Sequence, residues 1–150
     1  MKWGEFAQKE PELARLGQER LNRYGLVMLA TLRKNGFPRI SPVEPLFFNN
    51  QLYLGMTWKS QKALDLIRDP RCSIHNAVSD RHASDGEFKI YGRAMDITNP
   101  NEQQDYLQAM AKKINLEFGD QQFHCFVIDI NSVAINTLVG QEFKHKVWRA

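Results

Sequence analysis

The sequence is poor in cysteine, with only Cys72 and Cys125 among its 150 residues. They form no CxxC pair and sit inside apolar, strand-like runs. The expectation is therefore two reduced, buried thiols, with a disulfide or a reactive thiol as the alternative. No apolar run approaches the roughly 20 residues that a helix needs to cross a bilayer. The opening stretch, MKWGEFAQKEPELARLG, is too charged for a secretory leader. A cytoplasmic protein with no membrane partner is expected. Neither GxGxxG after a strand nor GxxxxGK[ST] occurs, so the standard phosphate-cradling loops are missing. There is no HExxH and no GxSxG, and His75, His82, His124 and His145 lack metal-ligand spacing. Hydrolysis by a metal or a serine triad is not expected, nor is a metal site. No repeat, low-complexity segment or long linker divides the chain, so residues 1–150 are expected to form a single domain.

The charge that is present is nearly balanced. Twenty Lys and Arg face 17 Asp and Glu, a formal excess of +3, too small to argue for a nucleic-acid partner. The basic tail of Lys144, His145, Lys146 and Arg149 reads as a solvated end first and as an anion or cofactor contact second.

Periodicity predicts a helix over residues 11–24, with Leu13, Leu16, Leu21 and Tyr24 on one face, Pro11 in its first turn and Gly25 beyond its end. Strands follow at Leu26–Leu32 and Phe37–Phe48, joined by an Asn35-Gly36 hairpin signal. Pro38, Pro42 and Pro45 make the second of these a bulged or edge strand. A third strand at Gln51–Met56 leads into a helix of about ten residues ending at Asp69-Pro70, with Ala63, Leu64 and Ile67 as its apolar face. Strands at Arg71–Val78 and Glu87–Ile97 come next, then a helix capped by Asn99 with Pro100 at its first position. The stripe of Tyr106, Met110 and Ile114 on that helix reads as core. A long strand from Phe123 to Val139 and a short one within Phe143–Trp148 close the chain. Short connections favour antiparallel pairing. About six strands with few helices imply a closed or nearly closed barrel, mainly β with peripheral helices.

The informative stretch runs from Gly55 to Ala63, where a strand ends and a helix begins. The free N–H groups and positive dipole end of a helix start attract anions. Lys59 and Lys62 lie in or beside that first turn, where cations are mildly unfavourable, by ~0.3–1 kcal/mol each. Thr57 and Ser60 add hydroxyls. A bound phosphate resolves the conflict; the alternative is two solvated lysines and a capping serine. Arg39 shares a strand face with Ser41, and an arginine fork suits phosphate.

These features together resemble the pyridoxamine 5′-phosphate oxidase-like family of FMN-binding split barrels. The likeness spans about Leu26 to Ile97. It rests on Leu29-Ala30-Thr31-Leu32, Gly36-Phe37-Pro38, Arg39-Ile40-Ser41-Pro42-Val43, a strand ending in Thr57, Ser60-x-Lys62, and Asp69-Pro70-Arg71. The resemblance implies an antiparallel six-stranded split β-barrel and an obligate homodimer with flavin held between subunits. It implies phosphate contacts at Arg39, Thr57, Ser60 and Lys62, with Ile40 and the backbone of Ser41, Pro42 and Val43 along the flavin ring. Trp58 and Lys59 fall in the same segment, although they differ from the family's usual residues there. Trp58, His75, Arg93 and Gln141 are the nominees to complete the site from the partner. The namesake's C-terminal substrate-recognition stretch has no match in Lys146–Ala150, so oxidation of pyridoxamine phosphate is not expected.

The resemblance implies an FMN-dependent oxidoreductase acting on a small molecule, because the cofactor would carry the redox chemistry and no residue stands out as a catalytic acid or base. A deazaflavin coenzyme is the alternative cofactor. A non-catalytic flavin or haem binder is the alternative function. Lys89, Tyr91 and Arg93 on one strand face would permit RNA binding, but a dimer interface is the preferred reading.

Overall fold

The computed structural model describes all 150 residues. Two short helices open the chain, α1 (Trp3–Lys9) and α2 (Pro11–Asn22). The sequence reading missed α1, which is only 7 residues long; it is fixed by burial of Trp3 and Phe6 and not by a long apolar stripe. Pro11 begins α2 as expected, and Gly25 lies past its end at φ +70°. Leu13 and Leu21 are buried, but Tyr24 falls outside the helix and is exposed. Its hydroxyl donates to Asp85 Oδ2 at 2.6 Å.

Eight strands follow: β1 (Val27–Leu32), β2 (Pro38–Val43), β3 (Pro45–Phe48), β4 (Gln51–Thr57), β5 (Arg71–Asn76), β6 (Glu87–Asp96), β7 (Phe123–Val139) and β8 (Glu142–Arg149). All pairings are antiparallel. Eight strands stand in place of the expected six: all seven strand-like runs of the sequence form, and the proline-rich one breaks at Glu44 into β2 and β3. The sheet runs β2-β1-β5-β6-β7-β4-β3, with β8 on the far half of β7. Its two ends, β2 and β3, are thus neighbours in sequence, separated by one residue. That connection forces the sheet to curl until β2 approaches β4, yet no ladder joins those two strands. This is a split barrel. The prolines are accommodated because β2 and β3 are both edges.

Local chemistry sets the turns. Asn49 and Asn50 both take positive φ (46° and 56°), giving the two-residue hairpin between β3 and β4. At the Asn35-Gly36 hairpin only Gly36 is left-handed, at φ +84°. In β6, Phe88, Ile90, Gly92 and Ala94 face inward and Tyr91 and Arg93 face out, as the alternation predicts.

Helix α3 (Gln61–Arg68) joins β4 to β5 and packs against β1 and β4, beside the split. Helix α4 (Pro100–Ile114) is capped by Asn99, whose side chain accepts from the Asn101 and Glu102 amides. The main core fills the barrel and includes Trp3, Phe6, Phe88 and Phe126. A smaller one, with Tyr53, Tyr106, Met110 and Cys125, lies between the outside of β4 and α4. The Tyr106 and Met110 part of the predicted stripe is core; Ile114 is half-buried against it. Cys72 and Cys125 are free and buried, and burial pushes both thiols up to about 12. No helix is long and apolar enough to cross a membrane.

Candidate functional site

The site forms where β2 faces α3 across the split. Arg39, Ser41 and Val43 share the inward side of β2, and register pairs Arg39 with Thr31 of β1. Asp65, one turn into α3, points back at them and is 3% exposed. Its Oδ2 accepts from Arg39 Nε at 2.7 Å and Thr31 Oγ1 at 3.0 Å. Its Oδ1 accepts from Arg68 Nη1 at 3.3 Å, and Arg68 also donates to the Leu32 carbonyl. Burial by itself pushes the Asp65 carboxyl up. Hydrogen bonds from Arg39, Thr31 and Arg68, with the Arg39 charge, outweigh burial and hold it below its ordinary value.

The start of α3 is rich in unused donors. Ser60 occupies the N-cap position but makes no side-chain cap, and its buried hydroxyl oxygen has no partner. The amides of Gln61, Lys62 and Ala63 have no backbone acceptor, the first i→i−4 bond being Leu64 N–H to the Ser60 carbonyl at 3.0 Å. Lys62 Nζ reaches only the Pro42 carbonyl, at 3.5 Å. Arg39 uses Nε alone, so both its terminal amino groups are free. Ser60 and Lys62 thus lie in the first turn of α3, and Arg39 meets the same helix one turn further on, at Asp65. Ser41, Pro42 and Val43 form the facing strand, with Ile40 turned to the opposite, outer side and 67% exposed.

Other nominees sit elsewhere. Thr57 shares its side of β4 with Tyr53 and Gly55 and lines a cavity of about 440 Å³ with Tyr106; only its carbonyl meets the α3 start, accepting from Ser60 N at 3.0 Å. Trp58 stacks on His124 at 4.3 Å and 14°, and Lys59, at φ +55°, lays its ammonium 5.9 Å above the Trp58 ring. Trp58 lines a cleft that Ile67 of α3 also lines. His75 and Arg93 lie on the outer face of the sheet, and Gln141 is in the β7–β8 hairpin. Within one chain these three do not join the Arg39 cluster.

Sequence reading missed Asp65 and Arg68. It took Ala63, Leu64 and Ile67 as the apolar face of α3, but the helix buries Ala63, Asp65 and Leu66 and leaves Leu64 and Ile67 exposed. The available signal was the Asp65–Arg68 spacing of three on one helix. Asp69-Pro70-Arg71 closes the exit from α3: Asp69 accepts from the Arg71 amide at 3.2 Å and from its guanidinium at 2.6 Å. Those bonds hold the Asp69 carboxyl down to about 2.

A separate cleft of about 900 Å³ opens between α4 and the end of β4, lined by Trp58, His124, Asp96, Glu117 and Asp120 among others. His124 is 7% exposed and its Nε2 has no partner. No three His, Cys, Asp or Glu side chains come together in a set able to hold a metal ion.

Similar solved structures share this architecture at low identity. A haem-binding protein from Mycobacterium smegmatis is 20% identical with a TM-score of 0.64, over 89% of this chain and 57% of that one. The chain thus spans little more than half of that protein's length. A protein from Clostridium acetobutylicum related to general stress protein 26 is 12% identical with a TM-score of 0.65, over 97% and 95% of the two chains. An F420 reductase is 16% identical with a TM-score of 0.60, over 77% and 94%. At such identities the likeness speaks for the fold alone. No curated protein matches. A family model described as pyridoxamine 5′-phosphate oxidase does match, over residues 16–136. That span takes in the barrel from α2 into β7, with the Arg39, Ser60 and Lys62 cluster inside it, and the chain belongs to the pyridoxamine 5′-phosphate oxidase family.

Proposed function

We propose that this chain is a flavin-dependent oxidoreductase that holds the phosphate of FMN, or of a deazaflavin coenzyme, at the start of α3. One observation carries the reading: the start of α3 holds an orphaned Ser60 hydroxyl, three amides without backbone acceptors and Lys62, and Arg39 meets the same helix one turn on with two amino groups unused. A phosphate dianion supplies acceptors for all of them. The residues present therefore fit the group. When bound, the flavin supplies hydride transfer, which needs no acid or base from the barrel. The chain's own part is to bind the phosphate through Arg39, Ser60 and Lys62 and to offer the β2 backbone at Ser41–Val43 as a wall.

The reading includes a homodimer. The outer sheet face exposes Met28 (37%), Ile40 (67%), Tyr91 (45%) and Val147 (38%) across four strands. His75 and Arg93 stand on the same face. A second copy seated there would cover the apolar side chains and bring His75 and Arg93 close to a neighbouring flavin. The F420 reductase among the similar structures favours the deazaflavin alternative.

Haem binding is the second reading, favoured by the unpartnered His124 Nε2 in its cleft and by the similar haem-binding protein. Asp96, Glu117 and Asp120 in that cleft oppose a ring that carries two carboxylates.

The test is the absorbance spectrum of the purified chain, followed by titration with FMN, a deazaflavin and haemin. Ligand at about 100 times its Kd adds roughly 2.7 kcal/mol, which raises the melting temperature by about 5–10 °C in a domain of this size. Arg39→Ala and Lys62→Ala should weaken retention while the fold persists. A colourless protein whose melting point no flavin raises refutes the proposal; a Soret band with haemin alone selects the second reading.

A further inference from the structure

We propose that Arg68, acting through Asp65, is a positioning residue that keeps the Arg39 guanidinium open for a phosphate ester. The inference rests on the phosphate reading above and concerns a residue that would not itself touch the phosphate.

An arginine beside a carboxylate ordinarily closes a two-bond fork, one N–H to each oxygen. Arg39 does not. It gives Asp65 Oδ2 a single bond from Nε at 2.7 Å, and neither amino group bonds the other oxygen. The other oxygen is taken. Arg68 Nη1 and Nη2 lie 3.3 and 3.4 Å from Oδ1, and Arg68 is tied at its far end to the Leu32 carbonyl. Thr31 Oγ1, at 3.0 Å, adds a second donor on Oδ2. Asp65 is therefore saturated on both oxygens while Arg39 keeps its two amino groups unspent.

The charge count points the same way. Two guanidinium groups share one buried carboxylate, and Lys62 adds a third cation with only a 3.5 Å contact to a carbonyl. The cluster carries two positive charges beyond what Asp65 neutralises, which complements a phosphate dianion. Without Arg68, Oδ1 would be free to close the fork with Arg39. The guanidinium would then be spent on the flank of α3, and the phosphate would lose its bidentate partner.

The experiment measures Kd for FMN and for riboflavin, which lacks the phosphate, and reads their ratio. A loosened fold weakens both ligands; a misdirected Arg39 weakens only FMN. In Arg68→Ala the preference for FMN should fall about tenfold, the loss of about one charge-assisted bond, with riboflavin affinity little changed. Arg68→Gln keeps a neutral donor three residues from Asp65 and should retain most of the preference. An unchanged ratio in Arg68→Ala overturns the proposal. So does a fall in Arg68→Gln as large as in Arg68→Ala, since the lost charge then acts at a distance. If Arg68→Ala proves too unstable to assay, Arg68→Met, which keeps the packing stem without a donor, replaces it. An unaltered chain that binds neither flavin sinks the flavin reading separately. Inorganic pyrophosphate titrated by ³¹P NMR then reads the same cluster: weaker binding in Arg68→Ala upholds the inference, and equal binding overturns it.

Discussion

Gly17 offers a test in which two known effects oppose each other. It lies inside α2, where glycine is a poor residue and alanine would gain about 0.8–1 kcal/mol of helix propensity. A Cβ built there, however, would stand 2.2, 2.5 and 2.7 Å from three carbons of the Phe88 ring. Carbon–carbon contact needs roughly 3.5–4.0 Å, so each overlap is near or above 1 Å. Phe88 has no room to yield: it is 0% exposed and meets Trp3 edge-on at 6.4 Å. Overpacking of this kind costs about 1–3 kcal/mol, and a threefold overlap with a fixed ring belongs at the upper end. Gly17→Ala should therefore destabilise by about 1–2 kcal/mol net. For a domain of this size that lowers the melting temperature by roughly 2–8 °C. Thermal and urea denaturation measure it. Phe88→Leu in the Gly17→Ala background should relieve the clash, giving a favourable coupling of about 1 kcal/mol or more. A Gly17→Ala protein that melts at or above the unaltered chain, or a double variant additive within about 0.5 kcal/mol, refutes the reasoning.

Asp65→Asn should cost about 1–3 kcal/mol at pH 7, because Thr31 is buried and Arg39 and Arg68 lose a charged acceptor. The Asp65 carboxyl is held below its unfolded value of about 3.9, so its contribution is complete above that value and is lost as pH falls through the lower folded one. The stability gap between the unaltered chain and the Asp65→Asn variant should narrow below about pH 4; a gap constant from pH 7 to pH 3 contradicts the assignment. Ile40→Lys on the outer face should leave circular dichroism intact, since Ile40 is 67% exposed, yet convert a dimer to monomer by analytical ultracentrifugation. An unaltered chain that is itself monomeric removes the dimer from the proposal.

The parts of the fold legible in sequence are those governed by short-range rules. The alternation in β6, the Asn99-Pro100 start of α4 and the positive-φ Asn49-Asn50 turn all follow from local chemistry. The break at Glu44 was not legible: whether a proline-rich run is one bulged strand or two edges depends on where the sheet ends, which is a tertiary fact. Helix α1 was hidden for a similar reason. Seven residues hold a helix only when Trp3 and Phe6 find a core, and the Gly4 amide is anchored on the Asn50 carbonyl at 2.8 Å, far along the chain.

The site divides along the same line. Ser60 and Lys62 were readable because a helix start has fixed geometry whatever surrounds it. Asp65 was not, because a carboxylate among apolar residues ordinarily marks a solvated face, and its partners Thr31 of β1 and Arg39 of β2 are brought to it only by the tertiary fold. The sheet then separates the remaining nominees. Arg39 lies on the inward side of β2, Arg93 on the outward side of β6, and Gln141 at the opposite end of the 17-residue β7 from His124. The pleat points Arg39 and Arg93 to opposite faces of the sheet. Under the proposed homodimer, Arg93 and Gln141 reach the flavin from a second copy. In mixed dimers, one chain carrying Arg93→Ala and the other Lys62→Ala should then keep one intact site of the two, whereas a chain carrying both changes keeps none when paired with itself. Provided that the Arg93→Ala dimer alone binds no flavin, stoichiometry of the mixed dimer at half that of the unaltered dimer supports the shared site, and zero assigns both residues to the same chain's ligand; an Arg93→Ala dimer that binds fully removes Arg93 from the site.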